Sequence, residues 1–523
     1  MNRIAQWKTV MVVAASALVL AACGSDGEGS GSDEGAAGDK PVSGGTLSFV
    51  QMSEPRILDP GVMAPSPSTN ALVGNGLFGT LMIDKPDGSI EYSLAKSMET
   101  SDGGTTWKLT LRDGITFSDG SPMTAADVAY NWERLKEPTL GSQSISTANY
   151  LDELKPEGQV LTFTLTEPIA QFAYGITANS LNWIAKADAL KAGQAEFDKN
   201  PIGAGPFTLK SWTRGGKMVL VKNPKYFDKP KPYLDELVLT ANGDEGQRLE
   251  TVKSGDADGA MTNDIARYKA GVDSGLKGIT QGLNGANGVG MNFARPPFDD
   301  PRAREAVVKG MDRQTIVDAV YEGKGDVPKT FFTDDSIFAN GVPLTPYDKA
   351  GAQKLFNELA AEGKPVEFTF TAFQASQSRR VGETIQAQLG AYDNVKVNLE
   401  VLDFPAATAK VQSKQFQMIN TASPTFLDPE MVLYQHFHTG SAGNTTNISD
   451  PQMDEALEIG RTSSDQAERK AAYKTVAERL AALNPGFWYI RFLQGAIYQP
   501  YLGGVEQYAQ GAILVDRIWT TKN

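Results

Sequence analysis

Two histidines, His436 and His438, are the side chains of this sequence best suited to hold a metal ion. They are the only histidines in the chain, and on a strand this alternate spacing directs both imidazoles to one side. Imidazole nitrogens are ligands for zinc, nickel and copper. The same two residues also serve as ordinary polar side chains of a folded protein. We take that second interpretation and predict no metal site.

Glycines 74, 76 and 79 form a G-x-G-x-x-G pattern, and Glu99 follows at the spacing expected of a dinucleotide site. Such a site needs a helix that opens at the glycine turn, whereas Thr80–Ile83 has the composition of a strand. No cofactor is therefore predicted. The sequence also lacks a G-x-S-x-G elbow, a P-loop and an H-E-x-x-H motif. Paired carboxylates on distant segments leave a secreted hydrolase as the remaining enzyme alternative, and we predict a protein that is not an enzyme.

The composition is that of a folded protein large enough for two or three cores. The chain has 523 residues, of which 41% are hydrophobic and 21% are charged, and its formal net charge is −13. With this acidic balance and no basic patch, nucleic acid is not an expected partner. The uncharged apolar run Thr9–Ala22 is too short for a spanning helix, which needs about 20 residues.

The N-terminus has the pattern of an export signal. Arg3 and Lys8 precede the apolar run, which ends in Leu20-Ala21-Ala22-Cys23 and resembles the bacterial lipobox. Cys23 is the only cysteine, so a disulfide framework is excluded and an acyl anchor on its sulfur is predicted. We expect residues 1–22 to be a lipoprotein signal peptide. Residues 23–43, rich in glycine, serine and acids, should form a flexible tether.

The remaining chain mixes strand and helix patterns. Thr46–Gln51 and Trp107–Leu111 alternate apolar and polar residues like half-buried strands. Thr124 and Asp127 have the spacing of a capping box, and Asp312 is placed to begin a second helix. A third helix should carry Tyr473, Val476, Ala477 and Leu480 and end before Pro485. The pattern indicates an α/β or α+β protein of several layers.

Several segments resemble the family 5 solute-binding proteins of ABC importers, which include peptide, dipeptide and nickel receptors. The longest match is Leu111–Val128, which reads LRDGITFSDGSPMTAADV. Further matching segments run in the same order along the chain: Gly44–Leu47, Ser53–Pro55, Leu58–Pro60, Leu94–Ser97, Asn200–Phe207, Asn223–Tyr226, Ser254–Asp258, Pro297–Ala306 and Met311–Arg313. The resemblance covers essentially the whole chain from Gly44 onward.

This resemblance implies an α/β fold of the type II periplasmic-binding-protein kind, with two lobes joined by a hinge and an additional inserted subdomain. By analogy, lobe I comprises residues 44–82, 200–293 and 498–523, the insert 83–199, and lobe II 294–497. The function implied is capture of a peptide or peptide-like solute and its delivery to the ABC permease subunits with their ATPases. The implied location is the extracytoplasmic face of the cell membrane, with the protein lipid-anchored and monomeric. A receptor for an oligosaccharide or for a metal chelate is the alternative on this fold.

The resemblance also places a set of residues around the cleft between the lobes. These are Met63, Ala64 and Ser66 from lobe I, and Phe404, Asn420, Thr421, Ser423, Thr425, Phe426 and Phe492 from lobe II. Peptide receptors carry an aspartate in the segment matching Phe416–Pro429, where it holds the ammonium of the peptide. Here no acid precedes Asp428, so we expect neutral recognition by this stretch unless another segment supplies a carboxylate. In the nickel receptors a histidine follows the Asp-Pro pair, whereas here Glu430 follows Pro429.

Overall fold

A computed structural model describes residues 40–63, 66–281, 283–422 and 427–522. Cys23, the signal peptide and nearly all of the tether therefore lie outside the described residues, as do Ala64, Ser423, Thr425 and Phe426. Within the described ranges, no helix combines the length and the apolar character required to cross a membrane.

The largest described sheet has seven strands, and its central strands contribute to the hydrophobic core of lobe I. Strand β1 (Thr46–Gln51) carries buried Leu47 and Phe49 and pairs in parallel with β10 (Glu236–Ala241) and β11 (Gly259–Thr262). The strand order is β12 (Lys277–Thr280), β18 (Gly495–Tyr498), β11 (Gly259–Thr262), β1 (Thr46–Gln51), β10 (Glu236–Ala241), β9 (Met218–Lys222) and β8 (Phe207–Trp212). The helices that pack on this sheet are α1 (Ala71–Phe78), α7 (Glu245–Lys253) and α8 (Ile265–Asp273).

A five-stranded sheet forms the centre of lobe II. Its order is β15 (Val395–Leu402), β14 (Val366–Phe373), β16 (Met418–Ala422), β13 (Asn287–Met291) and β17 (Gly486–Ile490). The helices of this lobe are α9 (Pro301–Gly310), α10 (Arg313–Tyr321), α11 (Lys349–Ala361), α12 (Ser376–Leu389), α13 (Phe404–Gln412), α14 (Glu430–Phe437), α15 (Pro451–Thr462) and α16 (Gln466–Leu483). Apolar side chains of α14, α15 and α16 share one cluster with Trp488 of β17, which ties these helices to the sheet.

A four-stranded antiparallel sheet forms the inserted subdomain. Its order is β4 (Ala95–Thr100), β5 (Thr106–Leu111), β7 (Val160–Leu165) and β6 (Leu151–Glu157). The accompanying helices are α2 (Ala125–Arg134), α3 (Ile145–Ala148), α4 (Phe172–Thr177), α5 (Ala187–Lys191) and α6 (Gln194–Phe197). Trp132 of α2 packs edge-on against Phe163 of β7, with ring centroids 5.2 Å apart. The predicted capping box begins α2, because the Thr124 amide donates to the Asp127 carboxylate at 3.0 Å.

Short strands and single helical turns complete the chain. The paired strands are β2 (Met82–Asp84) with β3 (Ile90–Tyr92), β19 (Leu502–Gly503) with β22 (Trp519–Thr520), and β20 (Gln507–Tyr508) with β21 (Ala512–Ile513). The 3₁₀ turns are Pro138–Leu140, Ser180–Asn182 and Ala509–Gly511. Glycines 74 and 76 of the G-x-G-x-x-G pattern lie inside α1, and a Cβ on Gly74 would come within 2.4 Å of the Trp183 ring. They are packing glycines and do not form a phosphate-binding turn.

The chain crosses between the two large sheets at two places. One crossing leads from Thr280, the end of β12, to Asn287, the start of β13, and the other from Ile490 of β17 to Gly495 of β18. The expected boundaries at residues 293 and 497 would assign β13 to lobe I and most of β18 to lobe II. Since β13 pairs with β16 and β17, and β18 pairs with β11 and β12, we propose that the lobes change over within these two crossings.

Candidate functional site

Polar residues lie along one edge of the seven-stranded sheet. Gln51 ends β1, Thr262 ends β11, and Gln281 follows β12. Gln494 directly precedes β18, whose first residue pairs with both Thr262 and Thr280. This is the edge at which the parallel strands β1, β10 and β11 end, and ligands of open α/β sheets bind outside such an edge.

The five-stranded sheet presents a matching edge to the other side of the crossings. Phe373 ends β14 and Ala422 ends β16, and these strands run parallel. The antiparallel strand β13 begins at this edge with Asn287, which pairs with Ile490 of β17. The two crossings join the two edges, so the space beside them is accessible to side chains from both lobes.

A cavity of about 280 Å³ lies beside the second crossing. Lobe I contributes Glu245, Asn263, Asp264, Ile265 and Gln494, and lobe II contributes Asn287, Tyr321, Gln377 and Ile490. Residues 491–493 of the crossing itself, including the predicted cleft residue Phe492, form the remaining wall. This volume is close to the lower end of the range for small-molecule sites.

Met63 and Ser66, two of the lobe I residues predicted for the cleft, accept hydrogen bonds through their main-chain carbonyls. Met63 is buried, and its carbonyl accepts a hydrogen bond from the Ser180 hydroxyl at 3.0 Å. The Ser66 carbonyl accepts from the Asn70 amide at 3.0 Å, in the turn that leads into α1. The side chain of Met63 packs in the lobe I core, whereas Ser66 is half-buried.

The side chains of Asn420 and Thr421 point to opposite faces of the sheet, because the two residues are neighbours on strand β16. The Asn420 side-chain oxygen accepts from the Ser378 hydroxyl at 2.6 Å. Thr421 instead lines a small cavity of about 30 Å³ together with His436 and Trp488. The two residues that the sequence placed together in the pocket therefore face different surroundings.

Phe404 is the most exposed large hydrophobic residue described, at 71% of its surface. It begins α13, whose N-terminus is capped by the Asp403 carboxylate. Its ring lies 5.6 Å, centroid to centroid, from that of Phe373, which ends β14. Phe404 thus lies at the cleft edge of lobe II with most of its ring available for contact.

Glutamines around Gly511 form a group that the sequence reasoning missed. The Gly511 amide donates to the Gln281 side chain at 2.9 Å, and the Gln507 side chain donates to the Gly511 carbonyl at 3.0 Å. The Ser68 hydroxyl donates to the Gln494 oxygen at 2.9 Å. These residues lie far apart in sequence and belong to no motif, so no sequence signal could have grouped them. Amide side chains of this kind are neutral hydrogen-bond donors and acceptors.

Asp84 is a buried carboxylate that the sequence reasoning also missed. It is 2% exposed and accepts a hydrogen bond from the Ala509 amide at 2.8 Å. Burial raises the pKa of Asp84 to about 6, and the nearby negative charge of Asp428 adds to this. Its neighbours Ala509, Gln510 and Gly511 all have positive φ angles, of 27°, 66° and 99°, so Asp84 stabilises a strained segment.

The carboxylates that follow the predicted pocket segment are already paired. Asp428 lies 2.7 Å from the Arg469 guanidinium, and Glu430 lies 2.6 Å from the Arg461 guanidinium. Asp428 also accepts from the Glu430 amide at 3.0 Å. Because a buried cation already holds each one, neither carboxylate is free to bind the ammonium of a solute.

The two histidines lie at the end of helix α14 and not on a strand. His436 Nδ1 is 2.8 Å from the Val432 carbonyl, and burial lowers the pKa of the His436 imidazole. The His438 ring stacks on Tyr434, and its Nε2 lies 3.1 Å from Glu458. Among the described residues, no group of three or more His, Cys, Asp or Glu side chains is arranged to hold a metal ion.

Comparisons with known proteins agree with this architecture. The chain is 27% identical to Protein XP55 of Streptomyces lividans over 463 residues, which are 82% of each chain. It is 23% identical to the oligopeptide-binding protein AppA of Bacillus subtilis over 500 residues, 90% of each chain. Among solved structures, AgaA from A.tumefacien R10, in complex with agropinic acid, superposes with a TM-score of 0.74 at 25% identity, covering 92% of this chain and 99% of AgaA.

A second solved structure, the murein tripeptide-binding protein MppA in an unliganded open form, superposes with a TM-score of 0.75 at 21% identity. It covers 92% of this chain and 98% of MppA, and shows that the fold is that of type II periplasmic binding proteins. The family described as bacterial extracellular solute-binding proteins, family 5, middle region, matches residues 89–444. Since this match spans more than half of the sequence, the chain belongs to the family 5 bacterial extracellular solute-binding proteins.

Proposed function

We propose that the chain captures a peptide or peptide-like solute between its two lobes and delivers it to the permease of an ABC importer. The observation that carries this proposal is the pair of facing sheet edges joined by two crossings. A cavity beside one crossing takes its lining from both lobes. A solute in this position contacts both lobes only when they close, so binding and closure are linked.

The cleft offers a solute both neutral and charged groups, since Glu245, Asp264 and Arg491 line the cavity beside neutral amides. The amides of Gln281, Gln494 and Gln507 lie at the lobe I edge, and Asn420 lies in lobe II. Backbone amides of a peptide and hydroxyls of a conjugated sugar both match such side chains. The AppA relative is named for oligopeptides and AgaA was solved with agropinic acid, which is why the proposal includes peptide-like solutes.

We further propose that the protein works as a monomer attached to the membrane by a lipid on Cys23. The support is the apolar run that ends in Leu-Ala-Ala-Cys, followed by a segment rich in glycine, serine and acids. A Cys23→Ala chain should leave the membrane fraction or retain its signal peptide. Membrane retention of a correctly cleaved Cys23→Ala chain would exclude the lipid anchor.

Native mass spectrometry of the chain, purified without denaturation, tests the proposed ligand class. We expect added masses that fragment into amino-acid residues, and a rise in the thermal midpoint when the released compound is added back. Bound masses that fragment only into hexoses, or that carry a transition metal, would support the oligosaccharide or metal-chelate alternatives. Turnover of the returned compound would show that the protein is an enzyme.

A further inference from the structure

The guanidinium of Arg461, in helix α15, bonds to three side chains. Its Nε donates to Glu430 at 2.6 Å, one terminal nitrogen donates to Glu167 at 2.7 Å, and the other donates to the Tyr150 hydroxyl at 3.1 Å. The guanidinium also lies over the Tyr434 ring, 3.4 Å from its centroid. The side chain of Arg461 is 1% exposed, so these contacts replace water around a fully buried cation.

These partners belong to two different bodies of the molecule. Glu430 and Tyr434 lie on α14, which with α15 and α16 forms the helical layer of lobe II. Tyr150 directly precedes β6 of the insert, and Glu167 follows β7 of the same sheet. The Ala170 amide of the insert also donates to the Arg461 carbonyl at 2.9 Å. Arg461 therefore joins lobe II to the insert across the space between them.

The same guanidinium also anchors the end of the predicted pocket segment. Glu430 begins α14, three residues after Leu427, and its buried carboxylate has Arg461 as its cationic partner. On the preceding turn, Asp428 is fixed by Arg469. One side chain thus contacts both the insert and the helix that follows this segment.

We propose that Arg461 is a positioning residue for solute binding, which holds the insert against lobe II in the closed arrangement. When the lobes separate, Arg461 keeps Glu430 and Tyr434, while Glu167 and Tyr150 lose their partner and become hydrated. The cross-lobe bonds therefore favour closure without touching the solute, and affinity rises with the closed fraction. The inference rests on the proposed function only in that closure is taken to be the binding step.

The test removes the two cross-lobe side-chain bonds of Arg461 and leaves both its buried pair with Glu430 and the main-chain bond from Ala170 intact. In the double variant Glu167→Gln/Tyr150→Phe, Arg461 retains Glu430, whereas substitution of Arg461 itself would leave the Glu430 carboxylate buried without a cation. Glu383→Gln is the matched control, because it removes the same charge from an ion pair inside helix α12 and its side chain is 47% exposed, against 41% for Glu167.

Spin labels on Ser101→Cys of the insert and Lys470→Cys of α16, in a Cys23→Ser background, report the separation of the two bodies by pulsed electron resonance. In the full chain without added ligand, we expect the ratio of short to long separations to fall about tenfold in the double variant, and to be unchanged in Glu383→Gln. Urea denaturation midpoints confirm that each variant is folded.

The salt dependence of the distance distributions is a second test. Dissolved ions screen the attraction between Glu167 and Arg461, because the Glu167 side chain is partly exposed. Between about 0.05 and 0.5 M salt, the wild type should lose more of its short separations than the double variant. Identical distance distributions in the wild type and the double variant would overturn the proposal, and so would a wild type that shows long separations alone. No ligand is needed, so failure to find bound peptides would count against the proposed function and leave this result standing.

Discussion

The buried carboxyl of Asp84 makes the free energy of unfolding depend on pH. Its carboxylate holds the amide of Ala509, in a segment with three successive positive φ angles. The charged form is costly there because burial removes its hydration, which is why the pKa of Asp84 rises from 3.8 to about 6. The bond between Asp84 and the Ala509 amide therefore persists although the charged carboxylate destabilises the folded state. The size of this destabilisation depends on pH.

The change Asp84→Asn should remove this cost above pH 6. Between pH 3.8 and about 6 the folded state keeps the proton that the unfolded state releases, so the free energy of unfolding falls as the pH rises. The amide oxygen of asparagine can still accept from Ala509. We expect the variant to match the wild type near pH 4 and to exceed it by up to about 3 kcal/mol at pH 7.5. Urea denaturation at both pH values measures this, and an equal difference at both would contradict the assignment.

Phe404 is the residue whose exposure most directly predicts a ligand contact. With 71% of its surface exposed, it contributes little to the core, so Phe404→Ala should leave the thermal midpoint almost unchanged. If its ring packs on the solute, affinity should fall about tenfold or more. Calorimetry with the compound identified by mass spectrometry measures this, with Ile459→Ala, an exposed apolar residue on the helical layer, as control. A lowered midpoint at unchanged affinity would place Phe404 in lobe packing.

At the scale of elements, the local predictions succeeded where the signal lay within a few residues. Strand β1 spans Thr46–Gln51 as predicted, Asp312 caps α10, and α16 buries Tyr473, Val476, Ala477 and Leu480 before Pro485. Each depends on periodicity or on a cap, both of which are short-range properties. The spacing of the histidine pair carried no such signal, because it suits a strand and also fits the end of helix α14.

Removal of the predicted capping box should have a measurable cost. Thr124→Ala deletes the hydroxyl that begins α2, and we expect a loss of about 1 kcal/mol in the free energy of unfolding. Urea denaturation measures the change. Thr475→Ala, at a half-buried position within α16, is the control and should be neutral or slightly stabilising, since alanine favours helix interiors. An equal effect at both positions would show that the cap contributes nothing specific.

The candidate site was only partly predictable, because it is assembled from segments far apart in the chain. The resemblance indicated Phe404 and Asn420, which the structure places near the cleft edge of lobe II. Gln281 and Gln494 are separated by the whole of lobe II, and only the pairing of β12 with β18 brings them together. Which strands pair across more than 200 residues is a tertiary property, and the pattern within each strand does not specify it.

At the scale of the whole molecule, the two crossings are the segments about which we expect the lobes to rotate. Each sheet has its own hydrophobic core, and the described strands place the passages between the two sheets between β12 and β13 and between β17 and β18. Few backbone angles therefore need to change when the lobes rotate. The contacts of Arg461 lie away from these crossings in sequence and join the insert to lobe II directly.

Ligand binding should therefore make the molecule more compact. We expect the radius of gyration from small-angle scattering to be smaller in ligand-saturated than in ligand-free protein, because only the closed state lets the solute contact both lobes. The Glu167→Gln/Tyr150→Phe variant should show a larger change, since its ligand-free form is more open. Identical scattering with and without ligand in both proteins would contradict hinge closure.

The position of β18 also constrains the order in which the protein can be built. This strand lies between β11 and β12, yet it is made from residues 495–498, after the whole five-stranded sheet. As the chain emerges from N- to C-terminus, the second lobe can complete its sheet while the first still has a gap between β11 and its edge strand β12. Such long-range closure is slow and leaves neighbouring strands unpaired in the meantime. Lobe I should therefore be the later of the two to gain protection from proteases, and the one that depends more on folding assistance during synthesis and export.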